Sequence, residues 1–168
     1  PEGPFGEFMG IYVPEGLNHV FEVTRVTVRE DAVYHGLVCG SPEDLIPLDV
    51  AIASKLYRHL TAVLPGILDV SCKPYLMNTV VKIDQQYEGH AKHVLLAAFG
   101  AHLDYSKTCV LVDPDVDIHD LNDVWWAFVT RGRADTRSLV IPDVPGFYRD
   151  PHKDHWGRLG IDATKPLG

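Results

Sequence analysis

The pattern of apolar and polar residues predicts a β-rich beginning to the chain. From Asn18 to Arg29 β-branched residues alternate with other side chains, and a second run of the same kind covers Ala32 to Val38. Such alternation is typical of strands with one buried face. Because only Glu30-Asp31 separates the two runs, the sequence predicts an antiparallel hairpin.

Alternating helices and strands are predicted from Ser41 onward. Helix-start residues at Ser41-Pro42-Glu43-Asp44 precede apolar residues at three- and four-residue spacings, and Pro65-Gly66 ends that helix. The other predicted elements are strands at Ile67–Cys72, Thr79–Ile83, Thr108–Val112 and Ser138–Ile141, and helices at Glu88–His102 and Ile118–Arg131. After Ile141, frequent proline and glycine predict an ordered but irregular segment. The alternation predicts an α/β layered fold with a mixed, largely parallel sheet.

The composition is that of an ordinary soluble domain, with 168 residues of which 46% are hydrophobic. A net charge of −8 argues against binding to nucleic-acid phosphates or to an anionic membrane surface. No apolar stretch approaches the roughly 18 residues that cross a bilayer. Three separated cysteines indicate neither a disulfide framework nor a zinc ribbon, which favours the cytoplasm. Because Pro1 opens a loop-like stretch, we expect a piece of a longer chain.

The acidic stretch Asp113–Asp117 resembles the start of a calcium-binding EF-hand loop. That loop requires glycine at its sixth position and an acidic residue at its twelfth, where this chain has Ile118 and Val124. We therefore interpret the stretch as a turn at the end of a strand, with Asp117 or Asp120 available to cap the next helix.

The histidines give only weak indications of a metal site. His152 and His155 have a spacing that could bind one ion, but they lie in a predicted turn that would not hold them in place. His90 and His93 would share one face of a helix, which we interpret as a surface face because Lys92 lies between them.

Motifs of several common enzyme classes are absent from the sequence. It contains no GxGxxG, no P-loop and no GxSxG element, so dinucleotide binding, P-loop nucleotide binding and hydrolase-elbow chemistry are not indicated. The adjacent residues Trp125 and Trp126 lie on a predicted helix, where packing is the simplest explanation for them. The alternative is that they form a subunit interface.

Two carboxylates near the start of the chain form the strongest candidate site. Between Glu2 and Glu7, the small residues Gly3, Pro4 and Gly6 permit a tight turn that brings both carboxylates toward one cavity. Two carboxylates in different environments are a general way to obtain one proton donor and one ionised partner. A plain acidic loop is the alternative.

The same loop also carries a family resemblance. Glu2-Gly3-Pro4-Phe5-Gly6-Glu7-Phe8, followed by Gly10-Ile11-Tyr12, resembles the active-site loop of the UbiD family of decarboxylases. Further segments resemble the family's lysine, apolar strand, acidic turn, Trp-Ala helix and late Asp-Ala-Thr segment, in the same order. These are Lys107–Asp113, Asp115–Ile118, Asp123–Ala127, Thr130-Arg131 and Gly160–Thr164.

The resemblance implies a division into two domains and a reaction. Residues 1–40 would be the end of a split-barrel flavin-binding domain, and residues 41–168 a C-terminal α/β domain used in oligomerisation. The implied reaction is the reversible, non-oxidative decarboxylation of an aromatic or α,β-unsaturated carboxylic acid, which releases carbon dioxide. The implied cofactor is prenylated FMN, which accepts electron density as carbon dioxide leaves.

The resemblance also assigns roles to individual residues. Glu2 matches the glutamate that engages an arginine, and Glu7 matches the proton donor. The family's arginine comes from an upstream segment and has no counterpart in this sequence. To hold a proton near neutral pH, Glu7 would need largely apolar surroundings, which Phe5 and Phe8 could provide.

Further expectations concern the flavin, the metal ions and the partners. Lys107 resembles a lysine that contacts the flavin in some members, where it could pair with the phosphate, and an ordinary surface lysine is the alternative. Manganese and potassium would be bound upstream, so no ligand is assigned here. The resemblance further implies a homo-oligomer, either a dimer or a hexamer, and a flavin prenyltransferase that supplies the cofactor.

The expected fragment would be inactive alone. The segment from Val144 to Asp154 is expected to approach either the substrate pocket or a neighbouring subunit. The alternative to an enzyme is a non-catalytic assembly domain, in which the glutamates form an acidic surface loop and the Trp125-Trp126 helix forms an interface.

Overall fold

The computed structural model describes residues 1–101, 104–150, 152, 154 and 156–167. Its elements are, in order, β1 (Phe5–Gly6), β2 (Tyr12–Val13), α1 (Pro42–Val63), β3 (Ile67–Ser71), β4 (Asn78–Ile83), α2 (His90–Ala101), β5 (Thr108–Val112), α3 (Leu121–Arg131), β6 (Ser138–Ile141) and β7 (Arg158–Ala163). Within these ranges, no helix combines the length and the apolar character needed to cross a membrane.

A five-stranded sheet forms the centre of the fold, in the order β3-β4-β5-β7-β6. The three middle strands, β4, β5 and β7, run parallel to one another. The outer strands β3 and β6 pair antiparallel with their neighbours. The predicted α/β fold with a mixed sheet is confirmed, and its parallel pairing is concentrated in the middle.

Helices cover both faces of this sheet. Helices α1 and α2 pack on one face, where Leu60, Leu95 and Leu111 belong to one buried cluster. Helix α3 packs on the other face, where Val112 and Val124 belong to a second cluster. Because alternate residues of β5 point to opposite covered faces, the strand reads as a continuous apolar run.

The predicted first helix is confirmed at both ends. It begins at Pro42, which follows Ser41 at the N-cap, and it ends at Val63, just before Pro65-Gly66. The Ser41 hydroxyl makes no capping hydrogen bond. Instead, the Asp44 carboxylate accepts a hydrogen bond of 2.9 Å from the backbone N–H of Gly40, which ties the preceding turn to the helix.

The prediction of an irregular segment after Ile141 is wrong at Arg158–Ala163, which forms the inner strand β7. Gly160 in this strand marks a close approach of helix α2 rather than a chain break. A Cβ atom at Gly160 would lie 2.9 Å from Leu95 Cδ1 and 3.2 Å from Phe99 Cε2. Helix α2 can therefore approach the backbone of β7 closely.

The predicted hairpin from Asn18 to Val38 is also wrong, because no strand forms between β2 and α1. Its apolar side chains are exposed, and Val20 reaches 95% exposure. The two runs could pair with each other, but an isolated two-stranded hairpin is at most marginally stable without a further strand or helix beside it. The described part of the chain supplies no such neighbour to this segment.

Candidate active site

A small hairpin presents the two glutamates at the start of the chain. Strands β1 and β2 pair antiparallel, and Glu2 continues the pairing through two backbone hydrogen bonds with Gly16, of 2.8 and 2.9 Å. Glu7 follows β1 at the turn, where its backbone N–H donates to the Ile11 carbonyl at 2.8 Å. Gly3 has a φ of +99°, which favours glycine over residues with a Cβ. The tight turn predicted between the two glutamates is wrong, because Glu2 to Gly6 form the first arm of the hairpin and the chain turns after Glu7, where the Gly10 N–H donates to the Glu7 carbonyl at 2.9 Å.

Glu7 is held by contacts from three directions. Its Oε1 accepts a hydrogen bond of 2.9 Å from the Phe8 N–H and lies 3.8 Å from Cys39 Sγ. Its Oε2 lies 3.6 Å from Arg149 Nε, and only 12% of the side chain is exposed. Desolvation, reinforced by the charges of Glu7 and Asp44, raises the pKa of the Cys39 thiol, which keeps the thiol protonated as a donor.

The surroundings of Glu7 are less apolar than the sequence suggested. Phe8 is buried, but its ring packs toward the core, with its centroid 5.5 Å from that of Phe147. A guanidinium group, from Arg149, faces the carboxylate instead. Glu7 therefore lies in a charged and largely dehydrated environment.

Glu2 lies at the wall of a cavity of about 400 Å³. Its carboxylate accepts a hydrogen bond from the Asn18 side-chain amide. Phe5 and Val13 form an apolar part of the wall, and Arg149 also lines the cavity. The charges of Glu2 and Glu7 both act on Arg149. Glu7 is not among the described residues that line this cavity, so the two carboxylates do not share it as expected. They are connected instead through Arg149, an arginine that the sequence analysis did not select.

Lys107 lies next to the same segment of chain as Glu7. Its Nζ is 3.9 Å from Asp150 Oδ2 and 5.0 Å from the ring centroid of Trp156. The Trp156 indole N–H donates to the Asp150 carboxylate. The Lys107 side chain is 44% exposed, so its ammonium group remains accessible to an anion.

The segment Phe147–Asp150 connects the glutamate loop to Lys107. Arg149 contacts Glu7, and the next residue, Asp150, contacts Lys107. The Phe147 ring packs beside Phe8, and its centroid is 5.7 Å from that of Tyr105. Within this chain, the segment packs on the glutamate loop. A sequence signal was available, because Arg149-Asp150 is a charged pair preceded by two aromatic residues in a loop.

The acidic stretch after β5 forms the expected turn and also an ion-pair cluster. Arg131 Nη1 lies 2.7 Å from Asp113 Oδ2, and Arg131 Nη2 lies 2.9 Å from Asp115 Oδ2. Lys165 Nζ adds a contact of 2.7 Å to Asp115 Oδ2. Hydrogen bonds from Arg131 and then Lys165 hold the pKa of Asp115 well below its usual range. Asp120 caps helix α3 by accepting from the Asn122 N–H at 2.9 Å.

The histidines do not assemble into a metal site in the described ranges. The expected surface face is wrong for His90, which is completely buried, and His93 is exposed beside the Tyr87 hydroxyl. The predicted pair of His152 and His155 cannot be assessed, because His155 lies outside the described residues. Among the residues described, no group of three or more His, Cys, Asp or Glu side chains could hold a metal ion.

An apolar groove of about 300 Å³ lies where α3 meets the sheet. Its lining includes Val110, Trp125, Phe128 and Leu159. Trp125 is 61% exposed, whereas the Trp126 ring packs against Arg131, whose guanidinium carbon lies 4.6 Å from the ring centroid. Of the two tryptophans, Trp125 is therefore the one that lines an uncovered apolar surface.

Comparison with known proteins identifies the family of this chain. Residues 48–163 match the model of the 3-octaprenyl-4-hydroxybenzoate carboxy-lyase C-terminal domain. The chain belongs to the UbiD family. Residues 1–42 match the model of the Rift-related domain of the same carboxy-lyase.

A UbiD-family chain of this kind has characterised relatives. The anhydromevalonate phosphate decarboxylase of Methanosarcina mazei is 38% identical over 172 residues, which cover 99% of this chain and 40% of the relative. The UbiD-class enzyme HmfF from Pelotomaculum thermopropionicum, in complex with FMN, superposes with a TM-score of 0.92 at 34% identity and covers 99% of this chain. An evolved dimeric form of HmfF in complex with prenylated FMN has a TM-score of 0.85 at 31% identity over 99% of this chain.

A third solved enzyme shares the same architecture. The vanillic acid decarboxylase of Sedimentibacter hydroxybenzoicus, in its closed form, has a TM-score of 0.84 at 30% identity and covers 99% of this chain. The matched regions amount to 36–38% of the solved chains of these three structures. The UbiD-family chain thus spans about two fifths of the length of its relatives.

Proposed function

We propose that this chain is the C-terminal part of a decarboxylase that removes carbon dioxide from an aromatic or α,β-unsaturated carboxylic acid with the help of prenylated FMN. The observation that carries the proposal is the largely buried carboxylate of Glu7, held at the head of a hairpin in a chain of the UbiD family. Because the chain spans about two fifths of its relatives, activity would require the rest of the protein as well.

Glu7 would be the proton donor of this reaction. Its carboxyl group is fixed by the Phe8 N–H and largely shielded from bulk water, in a position from which a proton would be delivered to the substrate carbon that loses carbon dioxide. Because Arg149 faces the carboxylate, the apolar surroundings that a proton donor needs would have to come from the rest of the protein and the bound substrate. In the reverse direction the same carboxylate would remove that proton. Glu2, whose carboxylate is more exposed and accepts from Asn18, would be the ionised partner that engages an arginine from upstream.

Prenylated FMN, when bound, supplies an electron sink for the departing carboxylate's electron pair. The residues of this chain could form one side of a binding site for this cofactor. The half-exposed ammonium of Lys107 is 3.9 Å from Asp150, longer than a hydrogen bond, so it could turn toward a phosphate. Manganese and potassium, the ions expected with this cofactor, would take their ligands from upstream residues.

The substrate class is supported by the relatives. One is a decarboxylase of anhydromevalonate phosphate and another is a decarboxylase of vanillic acid, an aromatic acid. An unsaturated body next to the carboxylate would fit the apolar wall that Phe5 and Val13 give the cavity beside Glu2. We propose an acid of this class as the substrate and carbon dioxide as the second product.

In the proposed enzyme, this chain would contribute to two domains. Residues 1–40 would end a split-barrel flavin-binding domain, and the exposed apolar side chains of residues 18–38 support this because upstream strands could cover them. Residues 41–168 would form the C-terminal α/β domain. The uncovered groove at Trp125 supports a homo-oligomer, either a dimer or a hexamer. The unpaired cysteines suit the cytoplasm, where a flavin prenyltransferase would supply the cofactor.

The test is native mass spectrometry of the full-length protein, co-produced with a flavin prenyltransferase, followed by denaturing analysis of the released small molecule. Release of prenylated FMN, together with carbon dioxide formation from an aromatic or unsaturated acid, is the expected result. Absence of any flavin would instead favour the second candidate, a non-catalytic assembly domain that uses the Trp125 groove.

A further inference from the structure

The guanidinium group of Arg149 is held in a fixed orientation. Its Nε donates a hydrogen bond of 2.8 Å to the Tyr148 hydroxyl and lies 3.6 Å from Glu7 Oε2. Its central carbon lies 5.0 Å from the ring centroid of Phe5 and 5.2 Å from that of Tyr148. Because two aromatic rings and a hydroxyl restrain it, the group is positioned before any ligand arrives.

The contacts of Arg149 use only one edge of its planar group. Both polar contacts are made by Nε, and no residue in the described ranges hydrogen-bonds to its terminal nitrogens. The hydrogen bond to Tyr148 raises the pKa of Arg149, and the charges of Glu7 and Glu2 act in the same direction, so the group stays cationic. Two terminal amino groups in one plane form a fork that matches a carboxylate or a phosphate.

The other charged groups at the cavity already have partners. Glu2 accepts from Asn18, and Asp150 accepts from Trp156 and pairs with Lys107. Arg149 is the only cationic side chain among the described residues that line this cavity of about 400 Å³. A ligand with an anionic end and an apolar body would therefore place its anion at Arg149.

We propose that Arg149 is a specificity-determining residue, which binds a second anionic group of the substrate, distinct from the carboxylate that leaves as carbon dioxide. This inference rests on the proposed decarboxylase function. The second group is a carboxylate or a phosphate, since the fork of Arg149 accepts either. Glu7 keeps its own contact at the Nε edge, so the ligand and the proton donor use different edges of one guanidinium group.

The test measures binding of four acids to the full-length enzyme loaded with FMN, by isothermal titration calorimetry. Anhydromevalonate phosphate is compared with anhydromevalonate, and terephthalate with its monomethyl ester, so each pair differs by one anionic group. We expect the wild-type protein to prefer the charged member of at least one pair by about tenfold or more. A preference for the first pair identifies a phosphate, and a preference for the second identifies a carboxylate.

In Arg149→Gln that preference is expected to disappear, and in Arg149→Lys to be partly retained. The matched control, Arg133→Gln, removes an exposed arginine that pairs with Asp135 and should keep the wild-type preference. An unchanged preference in Arg149→Gln, no preference in the wild type, or binding of none of the acids overturns the inference. Equal weakening of both members of each pair also overturns it, because that result is expected if Arg149 only positions Glu7.

Failure of the role of Arg149 and failure of the proposed decarboxylase function give different experimental results. If the wild-type protein releases carbon dioxide from an uncharged-tail acid but shows no preference within the pairs, the decarboxylase stands and the role of Arg149 is overturned. If the protein retains no flavin, both are overturned. Loss of flavin from Arg149→Gln alone would assign the arginine to the cofactor phosphate and would also overturn the inference.

Discussion

Arg149 Nε lies 3.6 Å from Glu7 Oε2, so a residue near the end of the chain contacts the proposed proton donor near its beginning. The next residue, Asp150, contacts Lys107, which the family resemblance associates with the flavin. One short loop segment therefore connects the acid and the cation that the sequence analysis selected separately. The charged pair Arg149-Asp150 is visible in the sequence, but its contacts with Glu7 and Lys107 are visible only in the folded chain.

The first prediction concerns the proton donor. Replacing Glu7 by Gln keeps the shape of the side chain but removes its acidic proton, so decarboxylation by the full-length enzyme should fall by about 10²–10⁴-fold. Flavin content should be unchanged. Carbon dioxide release and flavin absorbance measure the two quantities. Glu15→Gln, an exposed carboxylate in the same hairpin region, is the matched control. Near-normal turnover by the Glu7 variant would remove Glu7 from this role.

The second prediction concerns the ion-pair cluster at the end of β5. Arg131 is 11% exposed and contacts both Asp113 and Asp115, so Arg131→Met should lower the free energy of unfolding by about 2 kcal/mol by leaving carboxylates without their partner. Chemical denaturation measures this change. The control Arg133→Gln removes a fully solvated ion pair and should leave the denaturation midpoint unchanged. Equal effects of the two substitutions would contradict a special role for the cluster.

The third prediction concerns the pH dependence of stability. Burial, which outweighs the opposing Pro65 carbonyl and Asp84 charge, lowers the pKa of His90 below 6.5. The unfolded state then binds a proton more readily than the folded state. Stability should therefore fall as the pH drops through about 6.5, with a slope of at most about 1.4 kcal/mol per pH unit.

Denaturation curves at pH 7.5 and pH 5.5 would measure this loss. In His90→Gln the loss should be smaller, because the titrating imidazole is gone. The exposed His93→Gln is the matched control and should keep the wild-type loss. The lowered pKa of Asp115 affects stability only at a more acidic pH, below its ordinary value of 3.8, so the two effects are separable. Identical pH dependence in all three proteins would rule out His90 as the cause.

The fourth prediction concerns the groove beside α3. Trp125→Glu places a charge in an apolar surface, so an oligomer that buries this groove should dissociate into smaller species. Native mass spectrometry of the full-length protein measures the assembly. Leu96→Glu introduces the same charge at an exposed position of α2 and should leave the oligomer intact. An unchanged mass for the Trp125 variant would show that the interface lies elsewhere.

Features that depend on near neighbours in the chain were predictable. Pro42 and Pro65-Gly66 delimit the first helix in the sequence and in the structure. The continuous apolar run Thr108–Val112 indicated an inner strand covered on both faces, which is the position of β5. The family resemblance selected Glu2, Glu7 and Lys107, but not how their side chains are connected.

Features that depend on distant partners were decided by tertiary structure. Gly160 reads as a chain break, yet it lies in the inner strand β7, which pairs with β5 and is approached closely by Leu95 and Phe99 of α2. Residues 18–38 alternate like strands, yet they form none, because a strand is stabilised by a neighbour and not by its own pattern.

The sequence by itself therefore determined the elements after Ser41 whose signals are local, the layered α/β class and the glutamates of the loop. Only the tertiary structure decided the place of β7 in the sheet, the burial of His90 and the contact of Arg149 with Glu7. The physical reason is the distance along the chain over which each kind of interaction acts. Turn geometry, capping and periodicity act over a few residues, whereas ladder hydrogen bonds, packing and ion pairs join residues that only the folded chain brings together.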